Sequence, residues 1–222
     1  MADSTHNRKK RLLAVRGVYL IADAATLSGP PLVAAVSAAV AAGVGVVQYR
    51  DKSTAPSQLT RALLQQARAV CRAARSGGAL FLVNDRADVA LLVDADGLHV
   101  GQDDLPLNEA RALLGADALL GVSTHDVAEA RRAQAEGADY IGFGNVFGTV
   151  TKADVTPAQG VAALAAGCRA VQLPVFAIGG VGQSNLALVR AAGAAGGAVV
   201  SALLRATDPA QAARDLLAAW GE

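Results

Sequence analysis

Eight short, β-rich runs recur along the 222-residue chain, each separated from the next by a segment of helical character. They are GVYLIAD from Gly17, VGVVQYR from Val44, ALFLVND from Ala79, GLHVG from Gly97, LLGVST from Leu119, DYIGFGN from Asp139, PVFAIGG from Pro174 and GGAVVSALL from Gly196. Most are almost continuously apolar, which marks strands buried on both faces. Between them, residues 56–75 place Leu59, Leu63, Leu64, Ala67 and Val70 near one helical face, with Arg and Gln elsewhere. Residues 126–136 and 208–220 behave similarly, each from an Asp suited to the N-cap. Gly43, Gly77, Gly137 and Gly193 stand where helices should stop. Strict alternation of β and α implies a parallel sheet. Eight strands and eight helices predict one α/β domain over residues 17–222, a (β/α)8 TIM barrel. A doubly wound open sheet is the alternative. Against it, no G-x-G-x-x-G follows the first run, and Gly142-Phe143-Gly144 is an isolated G-x-G.

Charge narrows the partners. Lys and Arg number 20 against 19 Asp and Glu, so nothing biases the whole chain toward nucleic acid or an anionic membrane. The longest uncharged stretches are broken by Gly29-Pro30-Pro31 or by Gln172 and Pro174, and neither supplies the roughly 20 strongly apolar residues of a bilayer span. The basic cluster from Arg8 to Arg11 is followed only by LLAV, too short for a signal-peptide core. Residues 1–16 therefore read as a flexible basic arm. Two cysteines, Cys71 and Cys168, exclude a disulfide scaffold and suit the cytoplasm.

In a (β/α)8 barrel the carboxyl ends of the strands carry the chemistry. Those ends hold Gln48, Arg50, Asp51 and Lys52; Asn84, Asp85 and Arg86; His99, Gln102, Asp103 and Asp104; Ser123, Thr124 and His125; Asn145, Thr149, Thr151 and Lys152; Gly179 and Gly180; and Ser201. After Arg11 the chain uses 14 Arg but only two Lys, and both of these, Lys52 and Lys152, fall in the set. Arg50, Lys52 and Lys152 on one rim call for a multiply charged anion. Asp85 and Asp104 suit a hard cation, and Mg2+ typically takes one or two carboxylates plus substrate phosphates. Together they describe a magnesium–pyrophosphate site that stabilises charge on a leaving group. Gly180 and the Val200-Ser201 backbone suit a second phosphate. Single residues have plainer readings: Asp85 as a helix cap, a loop lysine as solvated, Gly179-Gly180 as a tight turn. His99 and His125 lack partners at zinc-like spacing, so packing or support suits them better. Ser123 and His125 share a strand face, but no G-x-S-x-G accompanies them.

Eight motifs in register carry a family resemblance: YLIAD at Tyr19, VVQYRDK at Val46, VNDR at Val83, GLHVGQDDLP at Gly97, GVSTH at Gly121, GADYIGFGNVFGTVTK at Gly137, AIGGV at Ala177 and VVSAL at Val199. From Tyr19 to about Ala213 the chain resembles the thiamine-phosphate synthases. That resemblance implies condensation of an aminopyrimidine methyl diphosphate with a thiazole phosphate, releasing pyrophosphate, with one Mg2+ per site. It implies that Gln48, Tyr49, Arg50, Asp51, Lys52, Asn84, Ser123 and Lys152 contact the pyrimidine diphosphate. Among these, Arg50, Lys52, Ser123 and Lys152 would assist the reaction, while Asp85 and Asp104 hold the metal. Thr149, Val150, Thr151, Gly180, Val200 and Ser201 would receive the thiazole phosphate. The implied mechanism is dissociative: pyrophosphate leaves, a pyrimidine-methyl cation forms, and the thiazole nitrogen captures it. Family members are often dimers, so the resemblance also implies a homodimer as one assembly.

Departures are local. GNVFGTVTK lacks the prolines usual in that loop, YLIAD has Ala where Thr is common, and QYRDK has Asp51 for the usual Glu. None removes a cation or a metal carboxylate. The altered loop also resembles that of the thiazole tautomerases, a related subgroup that needs neither diphosphate nor metal residues. A catalytically silent sensor of thiazole or thiamine phosphates is a third reading. Retention of Arg50, Lys52, Asp85, Asp104 and Lys152 together favours the synthase.

Overall fold

Period-two alternation sorts the side chains of every strand between two cores. The computed structural model describes residues 2–52, 59–148 and 157–221. Its strands are β1 (Gly17–Asp23), β2 (Val46–Arg50), β3 (Leu80–Asn84), β4 (Gly97–Val100), β5 (Leu119–Thr124), β6 (Tyr140–Phe143), β7 (Val175–Ala177) and β8 (Gly196–Val199). Each pairs in parallel with its neighbour in sequence, and β8 returns to β1 through Gly17↔Gly196 and Leu20↔Val199. The closed barrel is therefore the expected one, and the open sheet is excluded.

Outward residues such as Leu20, Val47, Phe81, Leu98, Leu120 and Ile141 pack against the helices. Inward residues make a smaller core of Tyr19, Ile21, Val46, Leu80, Leu82, Leu119, Tyr140, Phe176 and Ala198. Three of the chain's few aromatic rings stack there: Tyr19 and Tyr140 each meet Phe176 edge-on, with centroids 5.2 and 5.8 Å apart. Space for them comes from glycine. A β-carbon on Gly121 would collide with the Tyr140 ring, its register partner across β5 and β6.

The helices are α1 (Ala2–Ala14), α2 (Gly29–Ala41), α3 (Arg61–Ser76), α4 (Ala87–Leu92), α5 (Leu107–Leu114), α6 (Val127–Ala135), α7 (Gly160–Ala170), α8 (Leu186–Ala191), α9 (Ser201–Leu204) and α10 (Pro209–Trp220). Asp126 and Asp208 cap α6 and α10 as expected, accepting from the N–H groups of Glu129 and Gln211. Helix α3 starts later than the periodicity suggests, because the Thr60 side chain accepts from Leu63 N–H and sets the first turn. Trp220, the single tryptophan, is buried in α10 and packs over Gly17 at the start of β1.

Two expectations need correction. The described part of the arm expected over residues 1–16 is not loose: α1 lies across the amino-terminal end of the barrel. There Leu12, 1% exposed, joins the inner core. Arg8 pairs with Asp96 at 3.1 Å, Lys9 with Asp139 at 2.7 Å, and Arg11 donates to the Gly78 carbonyl at 2.8 Å. Acids at the bottoms of β4 and β6 thus pair with Arg8 and Lys9 of the basic cluster. Second, the run from Gly196 is not all strand: the Val200 carbonyl accepts from Leu203 and Leu204 N–H and turns the chain into α9. Ser201 therefore opens a short helix, and with α1 the described helices number ten rather than eight. Gly77 caps α3 as expected, and the next residue, Gly78, takes the left-handed conformation at φ 81°.

Candidate active site

A cavity opens at the carboxyl end of the barrel, floored by Tyr19, Tyr140 and Phe176 and walled by Gln48, Arg50, Asn84, His99 and Ser123. Strand alternation explains the wall. Even positions of β2 and β3 and odd positions of β4 and β5 face inward, which aims those polar residues at one space. Gln48, Arg50, Asn84 and Ser123 meet as expected. Tyr49 does not: it sits on the outer face of β2, 2% exposed in the helix-facing core, with its hydroxyl 3.2 Å from Asp51 Oδ2. Asp51 stands at the rim and accepts that bond.

Arg50 is held from behind. Its Nη1 donates to Asp23 Oδ1 at 2.7 Å, Asp23 is 2% exposed, and Thr26 Oγ1 occupies the other carboxylate oxygen at 2.8 Å. This bracket fixes a long side chain that would otherwise lose rotamer freedom on binding an anion. Asp23 ends YLIAD and was not among the expected site residues.

Lys52 donates to Asp85 at the top of β3. Asp85 is not the cap of α4: Arg86 holds that position, with no side-chain capping bond. Its backbone lies in the left-handed region at φ 58°, uncommon outside glycine, and its N–H donates to the His99 carbonyl at 2.8 Å. Asp104, whose carboxylate accepts from Gly101 N–H at 2.8 Å, comes within hydrogen-bonding reach of Asp85. Burial raises the Asp85 pKa, the Lys52 bond lowers it, and the neighbouring Asp104 carboxylate raises it again. Two carboxylates facing one another beside a cavity fit a hard cation. Among the described residues no group of three or more His, Cys, Asp or Glu gathers as an all-protein cage. That donor set fits Mg2+ completed by substrate oxygens.

His99 and His125 divide. His99 is buried, with Nε2 3.0 Å from Ser123 Oγ and Nδ1 2.9 Å from the Tyr140 hydroxyl. His125, which shares a strand face with Ser123 in the sequence reading, instead turns to Glu129 on α6 at 2.9 Å. Sequence reasoning missed Tyr19 and Tyr140 as well; their inward register on β1 and β6 was the signal that could have found them.

On the opposite side of the mouth the loop after β6 is stapled to the loop after β7. Val146 N–H donates to Ile178 O at 2.9 Å and Phe147 N–H to Gly179 O at 3.0 Å. A β-carbon on Gly180 would strike the Gly148 carbonyl. Val200 precedes α9 and the exposed Ser201 opens it. Thr149, Val150, Thr151 and Lys152 lie outside the described residues.

Residues 18–203 match the family model described as thiamine monophosphate synthase. The chain belongs to the thiamine monophosphate synthase family. It is 47% identical over 213 residues to a thiamine-phosphate synthase from Synechococcus sp. (strain WH7803), covering 96% of this chain and 59% of that relative. The chain thus spans about three fifths of that relative's length. A thiamine-phosphate synthase from Syntrophomonas wolfei is 43% identical, with 91% of this chain and 95% of the relative covered. The thiamine phosphate pyrophosphorylase from Pyrococcus furiosus superposes with a TM-score of 0.81 at 32% identity, covering 96% of both chains. Among the described residues no helix is long and apolar enough to cross a membrane.

Proposed function

We propose that the protein joins an aminopyrimidine methyl diphosphate to a thiazole phosphate, yielding thiamine phosphate and pyrophosphate. The observation that carries this reading is the meeting of Arg50, Lys52, Asp85 and Asp104 on one rim above the cavity. In the proposed reaction Arg50 and Lys52, with Lys152, neutralise the departing diphosphate, while Gln48, Asn84 and Ser123 bind and orient the pyrimidine diphosphate. Asp51 and Tyr49, tied to one another, support that edge of β2. Asp85 and Asp104 would hold Mg2+, which when bound adds positive charge against the leaving group. Thr149 to Thr151, Gly180 and Val200-Ser201 would receive the thiazole phosphate.

A dissociative order agrees with the side chains at the mouth. Ser123 and His99 have the spacing of a nucleophile and base, but the second nitrogen of His99 meets a phenol. A phenol cannot stabilise an imidazolium as the carboxylate of a hydrolase triad does. Free Cys71 and Cys168 agree with action in the reducing cytoplasm.

The test is pyrophosphate release and thiamine phosphate formation with both substrates. Release is expected only with Mg2+, and chelation should abolish it reversibly. Asp85→Asn should lower turnover by about a hundredfold or more, the scale of a lost metal contribution to charge stabilisation, with an unchanged circular dichroism spectrum. Isomerisation of a thiazole phosphate without pyrophosphate release would select the tautomerase instead, and binding without turnover the sensor.

A further inference from the structure

Five polar side chains form a continuous hydrogen-bonded chain across the barrel, directly beneath the mouth. Gln48 Nε2 donates to the Tyr19 hydroxyl at 2.8 Å, and the Tyr19 and Tyr140 hydroxyls stand 3.0 Å apart. The Tyr140 hydroxyl lies 2.9 Å from His99 Nδ1, and His99 Nε2 lies 3.0 Å from Ser123 Oγ. The residues come from β2, β1, β6, β4 and β5 in that order. Gln48 and Ser123 already have proposed substrate contacts; the three between them do not.

Counting hydrogens gives the chain a direction. A phenol has one hydrogen to donate. The Tyr19 oxygen receives the Gln48 amide, so its own hydrogen goes to the Tyr140 oxygen. Tyr140 in turn donates to His99 Nδ1. An imidazole that accepts at Nδ1 carries its hydrogen, in the neutral form, on Nε2. That hydrogen points at Ser123 Oγ, which leaves the serine's own hydrogen to face the cavity. Burial holds both phenols in their protonated state, so each remains a donor. With the Gln48 amide turned over, every bond would reverse, and the Ser123 hydrogen would be tied to His99.

We infer that Tyr140 and His99, backed by Tyr19, are positioning residues that lock His99 as the Nε2–H tautomer and present the Ser123 hydroxyl as a donor to an anionic oxygen in the mouth. The identity of that oxygen, a diphosphate oxygen, rests on the function proposed above; the direction of the chain does not. Without the lock, a serine hydroxyl is a rotor that can donate or accept. A donor oriented before the substrate arrives avoids reorganisation when charge develops on the leaving group. A chain that merely satisfied buried polar groups would have no such consequence at Ser123.

Nitrogen-15 NMR of histidine-labelled intact protein tests the direction without any ligand, with His99 assigned by the signals lost in His99→Asn. The expected spectrum shows an unprotonated Nδ1 and a protonated Nε2; the opposite tautomer overturns the inference. Kinetics test the consequence. Ser123→Ala should lower kcat for pyrophosphate release by about a hundredfold, the scale for one preorganised donor. Tyr140→Phe should release the tautomer lock and lower kcat about tenfold, while KM for the thiazole phosphate stays unchanged. In the Ser123→Ala background, Tyr140→Phe should cost less than about twofold more, because its effect passes through the missing hydroxyl. A second full tenfold loss there overturns the positioning role. Tyr19→Phe cuts the chain one link further back and carries the same expectation of non-additivity, which keeps the test available if Tyr140→Phe does not fold. If the intact protein releases no pyrophosphate with both substrates, the proposed function fails, and the tautomer measurement still decides the direction.

Discussion

Arg50 and Asp23 occupy equivalent places at the ends of adjacent strands, paired in register, yet only one of them is exposed enough to meet a ligand. A buried carboxylate is costly to desolvate and is tolerated because Arg50 and Thr26 take both of its oxygens. Asp23→Ala should therefore act twice. Leaving the guanidinium without its partner should lower stability by about 3 kcal/mol, read from urea denaturation, and a loosened Arg50 should raise KM for the pyrimidine diphosphate. An unchanged midpoint and KM would mean the bracket does neither. Arg50 was legible in the sequence because a charge ends an otherwise apolar run. Asp23 was not, since an acid at a strand end looks like a helix cap until its partner is seen. Tyr49 failed for the opposite reason: it neighbours true mouth residues, but alternation sends it to the other face.

At the level of elements, the amino-terminal helix shows how a tertiary contact overrides local character. Its basic residues look solvated in isolation, because the acids that pair with them lie far along the chain at Asp96 and Asp139. The decisive contact is Leu12 entering the barrel from below. Leu12→Ala should cost about 2–5 kcal/mol, whereas Arg8→Ala and Lys9→Ala should each cost about 1 kcal/mol or less, as partly exposed ion pairs do. Urea denaturation of the three variants checks the ranking. Equal losses would mean that charge, not burial, seats the helix. The end of β8 was misread for a related reason. Val200 and Leu203 are as apolar as strand residues, and only the carbonyl of Val200 receiving two N–H groups distinguishes a turn into α9.

Across the whole molecule, strand count and order were readable because the runs are apolar on both faces, and such strands need helices on both sides of a parallel sheet or around a barrel. The inner aromatic layer was readable only through strand register, because a tyrosine inside an apolar run shows its face only once the inward positions are known. Its burial has a measurable result. All three tyrosines have raised pKa values: Tyr19 and Tyr140 chiefly through burial, and Tyr49 through burial assisted by the Asp51 charge. For such groups the folded state favours the neutral phenol. Their contribution to stability is complete below the ordinary tyrosine value of about 10 and is lost as pH rises from there toward the folded values. Absorbance titration should show no phenolate near that pH while the fold persists, and phenolate should appear together with loss of the far-ultraviolet circular dichroism. Phenolate forming in the intact fold near the ordinary value would contradict the burial of at least one ring.

Trp220 makes one more optical consequence available. It sits where the last helix closes over the first residue of the first strand, at the end of the barrel away from the mouth. Because it is the only indole in the chain, its emission is a gauge of whether α10 remains seated on the start of β1. Substrates entering the far end should leave that emission unchanged, so a fluorescence change in this protein would report the seam parting and not the cavity filling.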